Sequence, residues 1–131
     1  MVAEAMGTNN ASQIVDLLPN NGNIYTPAYA IYENGNAVRA VLINFMNDPS
    51  GASDYITNIL IGGGTSYQQA STPSTVFVRY LLAPSVVEKH NITWAGQTFG
   101  GPFSSDGRLQ GEVTTEVVQC DQVNGTPIIS C

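Results

Sequence analysis

The stretch IYTPAYAIYENGNAVRAVLINF, residues 24–45, decides the fold. It contains two apolar runs separated by Asn34-Gly35, and both of these residue types tolerate the positive φ angles of a two-residue hairpin turn. The stretch therefore predicts two antiparallel strands. With that turn at the centre of the register, the expected opposed pairs are Ile31 with Val38, Tyr29 with Ala40, and Tyr32 with Ala37.

Both faces of the predicted hairpin are apolar. One face carries Tyr29, Ile31, Val38, Ala40 and Leu42. The other carries Ala28, Ala30, Tyr32, Val41 and Ile43, interrupted by Arg39. A sheet with one face in water alternates more clearly than this. We therefore expect the fold to cover one face and a partner to contact the other.

Length and composition indicate one secreted domain, residues 1–131. The chain has 131 residues, enough for a hydrophobic core. Asp and Glu outnumber Lys and Arg by 10 to 4, and the net charge of −6 argues against nucleic acid and anionic membranes as partners. The polar surface is rich in Asn, Ser and Thr, which is typical of a secreted β protein. Neither a signal peptide nor an apolar run long enough to insert into a membrane is present.

Turn residues divide the rest of the chain into short apolar runs. The predicted further strands cover residues 13–18, 55–61, 75–83, 91–95 and 112–119, and a terminal hairpin follows around Asn124-Gly125. About eight short strands with no helix of ordinary length predict an all-β fold, an antiparallel β-sandwich.

The two cysteines, Cys120 and Cys131, flank the terminal turn. They either form a disulfide across the last hairpin or remain two free thiols, and the secreted composition favours the disulfide. A strict two-residue turn would place Cys120 opposite Ile129, so the bond requires a longer loop or a bulge. Glycosylation sequons stand at Asn10, Asn91 and Asn124.

Groups that could carry out chemistry are few. His90 is the sole histidine and is interpreted as a surface residue at a strand start. The signatures of metal, redox and phosphate sites are missing from the sequence, so we expect neither a metal nor a cofactor. Carboxylates mostly stand beside turn residues, which favours turn or surface roles. A pair for glycoside hydrolysis remains the alternative, drawn from Glu33, Asp54, Asp106 and Glu112.

Aromatic side chains supply the candidate ligand site. The glycine-rich segment that follows the predicted strand 91–95 mixes aromatic and polar residues that could stack on a sugar ring and hydrogen-bond its hydroxyls. The candidates are Trp94, Phe99, Phe103, Gln97, Asp106 and Arg108. The alternative interpretation is that these aromatics pack the loop onto the sandwich or onto a neighbouring domain.

Two long motifs carry a family resemblance. The runs NIYTPAYAIYENGNAVRAVLINFMNDPSGASDY, residues 23–55, and NITWAGQTFGGPFSSDGRLQGE, residues 91–112, resemble the C-terminal β-domain of fungal glycoside hydrolase family 79, the group that includes β-glucuronidases. The similarity extends from about Val2 to Cys120. It implies a Greek-key β-sandwich and a secreted fungal source. Catalysis in that family belongs to a preceding (β/α)8 barrel, so the resemblance assigns no catalytic residue here and implies a protein that is not an enzyme.

Three functions follow as hypotheses. The first is a non-catalytic secreted β-sandwich that binds proteins or cell surfaces, comparable in size and secretion to fungal immunomodulatory proteins, or an accessory domain of a family 79 glycosidase. The second is a carbohydrate-binding module or lectin, and the third is a glycoside hydrolase in its own right. Met1 just before the first predicted element and the end at Cys131 favour a free-standing protein. Apolar surface left without a barrel predicts a homodimer or a protein or cell-surface partner.

Overall fold

The computed structural model describes residues 2–7, 11–48, 50, 59–62, 73–101, 107–122 and 128–131. Two compact units account for the chain, one made of Met1–Asp54 with Ala83–Glu88 and the other of Tyr55–Leu82 with Lys89–Cys131. All strand pairs among the described residues are antiparallel. The all-β prediction is therefore confirmed, while the Greek-key sandwich arrangement and the single domain stay predictions.

The first unit is built on a three-stranded sheet. Its elements are α1 (Val2–Met6), β1 (Ser12–Asp16), α2 (Pro19–Gly22), β2 (Ala28–Glu33) and β3 (Asn36–Leu42). The strands lie in the order β1-β2-β3, so β2 is central. Gly7, at a φ of 72°, ends α1, and the Ser12 hydroxyl donates to the Met6 carbonyl at 2.7 Å. These contacts join the short N-terminal helix to the start of β1.

The predicted hairpin turn is confirmed. Asn34 and Gly35 both have positive φ angles, 52° and 78°, and Tyr32 lies opposite Ala37. Beyond that pair, the predicted register is wrong. The structure pairs Ile31 with Arg39 and Tyr29 with Val41.

A β-bulge explains the difference. The register shifts between Ile31 and Tyr32, and Val38 is the extra residue on β3. The bulge moves every later residue of β3 by one position, so Arg39 and Val41 share a face with Ile31 and Tyr29, whereas Ala40 and Leu42 lie on the face of Ala30 and Ala28. The predicted face assignment for residues 38–43 is corrected accordingly.

Burial in this unit is concentrated on the central strand. Ile31 is 2% exposed, and Ala28 and Ala30, which point to the opposite face, are also buried. Several apolar side chains of the flanking strands, among them Ile14, Val15 and Leu42, are exposed. Both faces of β2 are therefore covered, whereas the flanking strands present apolar side chains outward.

In the described part of the second unit, short strands form three small sheets. Its strands are β4 (Leu60–Gly62), β5 (Thr75–Val78), β6 (Leu81–Leu82), β7 (Thr93–Trp94), β8 (Gln97–Thr98), β9 (Glu116–Gln119), β10 (Asp121–Gln122) and β11 (Ile128–Ser130). The described strands form sheets in the orders β10-β11-β4, β5-β9 and β6-β7-β8. No helix in the described part of the chain is long and apolar enough to cross a membrane.

The predicted continuous strand over residues 75–83 is divided in two. β5 pairs with β9, whereas β6 pairs with β7, because the chain changes partner at Arg79 and Tyr80. The Arg79 Nε donates to the Thr115 hydroxyl at 3.0 Å, and the Tyr80 carbonyl accepts from the Ala95 amide at 2.9 Å. The strand predicted over residues 112–119 is likewise shorter, covering Glu116–Gln119.

The predicted disulfide between Cys120 and Cys131 is confirmed. Asp121 lies opposite Ser130, so the next pair outward places the two cysteines side by side with a Cα separation of 4.2 Å. This register differs by two positions from that of a strict two-residue turn, in agreement with the need for a longer loop. The bond closes the end of the β10–β11 hairpin where the Cys120 amide also donates to the Ser74 carbonyl.

Candidate functional site

A tight hairpin positions Trp94. β7 and β8 are joined by Ala95 and Gly96, whose φ angles of 51° and 80° are those of a primed turn. Trp94 therefore lies opposite Gln97, and on the other side it pairs with Leu81 of β6. The predicted strand over residues 91–95 is shortened to Thr93–Trp94 because the turn begins at Ala95.

The chain packs closely around this turn. Ala95 is 2% exposed; its amide donates to the Tyr80 carbonyl and its carbonyl accepts from the Thr114 amide at 2.7 Å. A Cβ atom built on Gly96 would lie 2.9 Å from the Glu112 carbonyl oxygen. A glycine is therefore required at position 96 both for its positive φ and for the close approach of the segment that follows.

The Trp94 hairpin forms one wall of an open cavity of about 240 Å³, here called the Trp94 groove. The groove is lined on its apolar side by Leu81, Ile92, Trp94, Phe99 and Leu109. Gln97, His90, Asn91 and Lys89 add polar groups. Phe99 is 52% exposed, so its ring is available to a ligand.

Three of the six predicted ligand residues come together in this groove: Trp94, Gln97 and Phe99. Arg108 is described but does not line it, and Phe103 and Asp106 lie outside the described residues. The Gln97 Nε2 donates to the Gly111 carbonyl at 3.1 Å, so this amide nitrogen holds the neighbouring segment in place. Its carbonyl oxygen is then the atom of Gln97 suited to accept a hydrogen bond from a ligand.

Sequence reasoning missed the groove residues outside the glycine-rich segment. Leu81 reaches it because β6 pairs with β7, and His90, which is exposed as its interpretation as a surface histidine requires, also contributes to the lining. The usable signal is the apolar Leu81-Leu82 pair, which falls within the continuous strand predicted over residues 75–83.

A second exposed surface of the same unit lies on the β5–β9 pair. Phe77 on β5 lies opposite Val117 on β9, and these side chains are 75% and 52% exposed. Opposed residues share a face, and so do residues two positions apart on a strand. Thr75 and Gln119, which are opposed two positions further along, therefore flank Phe77 and Val117 on the same side. We call these four residues the Phe77 surface. On the other face, Val76 and Val118 are partly buried.

Comparison with known proteins identifies the family. A family model described as the glycosyl hydrolase family 79 C-terminal beta domain matches residues 28–128, more than half of the chain. The chain belongs to this family. The match is to the C-terminal β domain and not to the catalytic domain. No curated protein and no solved structure matches the chain.

The family 79 match begins at the first residue of β2 and ends at the first residue of β11. It therefore includes the central hairpin, the Trp94 groove and the Phe77 surface. The resemblance stated from the two sequence motifs is confirmed. β1, which pairs with β2, precedes the matched region.

The candidate carboxylates of this family 79 β-domain differ in surroundings. Glu33 is partly buried and forms an ion pair with Arg39 near the turn end of the central hairpin. Glu112 is exposed, whereas Asp54 and Asp106 lie outside the described residues. Within the described ranges, no group of three His, Cys, Asp or Glu side chains is arranged to hold a metal ion.

One titrating group near the Phe77 surface is perturbed. The Tyr80 hydroxyl hydrogen-bonds to Glu116, and this bond together with the negative charge of Glu116 raises the pKa of Tyr80 above its ordinary value of 10.0. A phenolate beside a carboxylate is disfavoured, so Tyr80 stays neutral and acts as a hydrogen-bond donor.

Only one of the three predicted glycosylation sequons lies in the described part of the chain. Asn91 is exposed, adopts a φ of 57°, and contributes to the edge of the Trp94 groove. Asn10 and Asn124 lie outside the described residues.

Proposed function

We propose that this chain is a secreted, non-catalytic β-domain that acts by binding a protein surface, as the accessory domain of a family 79 glycosidase. The observation that carries the proposal is the exposed Phe77–Val117 pair within a family 79 C-terminal β-domain. Aromatic residues are enriched at protein–protein interfaces, so an aromatic and an aliphatic side chain exposed side by side on a two-stranded ladder support a docking role.

Burial of Phe77 and Val117 would release enough hydrophobic free energy to change the affinity of a complex measurably. Burying a side chain such as Phe77 or Val117 contributes roughly 1.5–3 kcal/mol. Since about 1.4 kcal/mol corresponds to a tenfold change in affinity, loss of Phe77 alone should weaken a complex by ten- to a hundredfold. The neighbouring Thr75 and Gln119 can supply a polar rim.

Secretion is supported by several independent features. The Cys120–Cys131 disulfide is of the kind that persists in oxidising compartments, and the chain has 4 basic residues against 10 acidic ones. Asn91 presents an exposed sequon. A fungal source is part of the same proposal and rests on the resemblance of the two long motifs.

The non-catalytic part of the proposal rests on the family match to the β domain alone. An assay with aryl glucuronides tests it directly. We expect no hydrolysis above the uncatalysed rate. Hydrolysis that survives purification and disappears in Glu33→Gln or Glu112→Gln would overturn this part and restore the glycoside hydrolase hypothesis.

Binding to a catalytic domain tests the docking surface. We would immobilise the full chain and measure, by biolayer interferometry, the binding of a family 79 catalytic domain. Phe77→Ser should weaken binding at least tenfold. Val87→Ser is the matched control, because Val87 is similarly exposed but lies outside the strands. Failure of the unmodified chain to bind, or equal binding by the Phe77 variant, would contradict the proposal.

In a broader form of the proposal, the Phe77 surface binds a partner other than a catalytic domain. A free-acting domain would pair with a second copy or bind a protein on a cell surface, in the way suggested by comparison with fungal immunomodulatory proteins. Binding of labelled chain to cells, reduced by Phe77→Ser and unaffected by Val87→Ser, would favour this form over the glycosidase accessory role.

Carbohydrate binding in the Trp94 groove is the second candidate function. The juxtaposition of Trp94, Phe99 and Gln97 around a cavity of about 240 Å³ favours it, because aromatic faces stack on sugar rings and an amide oxygen accepts from hydroxyls. Trp94 is the only tryptophan, so its fluorescence reports on the groove alone. Titration with glucuronides and with fungal or plant polysaccharides should change that fluorescence, and no response would reject this candidate.

A further inference from the structure

We propose that a second cavity, in the first unit, binds an organic cation, an ammonium or guanidinium group carried on a short apolar chain. The cavity measures about 320 Å³ and is here called the Asp16 pocket. Its lining includes Asp16, Leu18, Ile24, Pro27, Tyr29 and Phe45. This proposal is independent of the Phe77 surface and of the Trp94 groove.

The strand register brings a carboxylate and an aromatic ring together. Asp16, the last residue of β1, lies directly opposite Tyr29 on β2, so their side chains emerge on the same face of the sheet. The Asp16 Oδ1 accepts from the Leu18 amide at 2.9 Å, which fixes the carboxylate at the rim of the pocket. Among the residues that the structure describes, Asp16 has no ion-pair partner.

Phe45, the other aromatic residue of the lining besides Tyr29, is positioned by backbone hydrogen bonds. The Phe45 amide donates to the Tyr25 carbonyl at 2.7 Å, and the Ile43 amide donates to the Pro27 carbonyl at 3.0 Å. These bonds extend the pairing beyond the ends of β2 and β3. Phe45 is 50% exposed, so its ring remains accessible from the cavity.

An unusual turn shapes the remaining side of the pocket. Leu18, Asn20 and Asn21 all adopt positive φ angles between 45° and 58°, so α2 is a left-handed turn rather than a right-handed helix. The side-chain Nδ2 of Asn20 donates to the hydroxyl of buried Thr26 at 3.2 Å, which ties the turn to the segment just before β2. Leu18 is thereby held on the lining although it is largely exposed.

The chemistry of these groups selects a cation with an apolar body. Aromatic faces attract ammonium and guanidinium groups, and one carboxylate supplies the opposite charge. Leu18, Ile24 and Pro27 can contact methylene groups. Asn23, the amide side chain of the lining, already accepts from the Tyr25 amide through its Oδ1, so few polar groups besides the Tyr29 hydroxyl are available for a polyhydroxylated ligand such as a sugar. An anion would be opposed both by Asp16 and by the net charge of −6.

The test is a titration of the full, isotope-labelled chain followed by ¹H–¹⁵N nuclear magnetic resonance. The probes are n-hexylamine, a free alkylammonium, and Nα-acetyl-arginine methylamide, a peptide-borne guanidinium. n-Hexanol is the uncharged control of equal length. We expect saturable shifts at the amides of Leu18, Tyr29 and Phe45 with at least one cation and at least tenfold weaker binding of hexanol.

Two variants make the test specific. Asp16→Asn retains an oxygen that accepts from the Leu18 amide, so it removes the charge and preserves the turn; it should weaken cation binding at least tenfold. Asp121→Asn, on β10 of the other unit, should leave binding unchanged. Saturation by hexylamine alone identifies a free amine as the ligand class, and saturation by the arginine derivative alone identifies a partner's side chain. Equal binding of hexanol, unaltered binding by Asp16→Asn, or shifts scattered outside the pocket would overturn the proposal.

Discussion

Phe77 lies directly opposite Val117 across the β5–β9 pair, and both side chains face water rather than a core. A cross-strand contact between an aromatic and a β-branched residue contributes a fraction of a kcal/mol to the sheet itself. Both side chains remain largely exposed, so their larger hydrophobic contribution is available for association with another protein. A substitution at position 77 should therefore weaken binding to a partner more than it lowers the stability of the fold.

The first prediction follows from the small contribution of Phe77 to folding. Phe77→Ser should change the free energy of unfolding by no more than about 1 kcal/mol, because an exposed strand position loses mainly cross-strand contact and β propensity. Urea denaturation of the variant and of Val87→Ser would measure this. A loss of several kcal/mol would mean that Phe77 belongs to a core and not to a docking surface.

The second prediction concerns the disulfide. Cys120 and Cys131 are separated by 11 positions, and a loop of about that length stabilises the folded chain by roughly 2–3 kcal/mol in the chain-entropy account. A double Cys→Ala variant should lose about this much free energy of unfolding. In this variant, hydrogen exchange should quicken at position 131, where the amide of the natural Cys131 donates to the Ile59 carbonyl at 3.2 Å.

Reduction of the natural chain provides the control for the disulfide. A thiol reductant should destabilise the natural chain by a similar amount and leave the double variant unaffected. Equal stability of the natural chain and the variant would contradict the structural role assigned to the bond.

The third prediction compares two glycines at equivalent turn positions. Gly35 and Gly96 each follow a residue with positive φ, and their own φ angles are 78° and 80°. A Cβ at position 35 meets nothing within 4 Å, whereas one at position 96 meets the Glu112 carbonyl oxygen at 2.9 Å. Gly35→Ala should cost about 1–2 kcal/mol for the left-handed conformation alone.

Gly96→Ala should cost at least about 1 kcal/mol more than Gly35→Ala, because the segment from Glu112 to Thr114 must move as well. Thermal and urea denaturation of the two variants would measure the difference. Equal costs would show that the close approach of this segment to the Trp94 hairpin is absent in solution.

The fourth prediction is a pH dependence. Glu116 raises the pKa of Tyr80 in the folded chain through a hydrogen bond and its negative charge. The folded chain therefore holds this proton more tightly than the unfolded chain does. The associated stability is fully present below pH 10 or so and is lost as the pH rises through the pKa of folded Tyr80.

Ultraviolet titration of tyrosine ionisation would measure this pKa, with Tyr80→Phe used to identify the contribution of Tyr80 among the 6 tyrosines. Glu116→Gln should return the pKa of Tyr80 towards its ordinary value, since the charge is gone. An unchanged pKa in that variant would contradict the assigned contact.

Local signals in the sequence predicted several parts of the structure. Asn34-Gly35 determined its turn because few residue pairs tolerate two consecutive positive φ angles. The cysteine pair and the two long family 79 motifs were equally informative. Each of these signals lies within one continuous segment of the chain, so no tertiary information is required to read it.

The missed features depend on contacts between distant residues. The Val38 bulge shifts the register of β3 without any glycine or proline to mark it. The division of residues 75–83 into β5 and β6 depends on which partner strand each half meets. The sequence predicts only part of the Trp94 groove. Trp94, Gln97 and Phe99 are close in sequence and could be predicted together, whereas Leu81 joins them only through strand pairing.

The most direct test of protein docking is sedimentation velocity of the purified chain from low to high micromolar concentration. With no other partner present, the Phe77 surface should associate with a second copy, so the weight-average sedimentation coefficient should rise towards that of a dimer. Phe77→Ser should hold it at the monomer value, and Val87→Ser should behave like the natural chain. An association that Phe77→Ser leaves unchanged would contradict the assignment of Phe77 and Val117 as a docking surface, and a monomer at every concentration would contradict self-association through it.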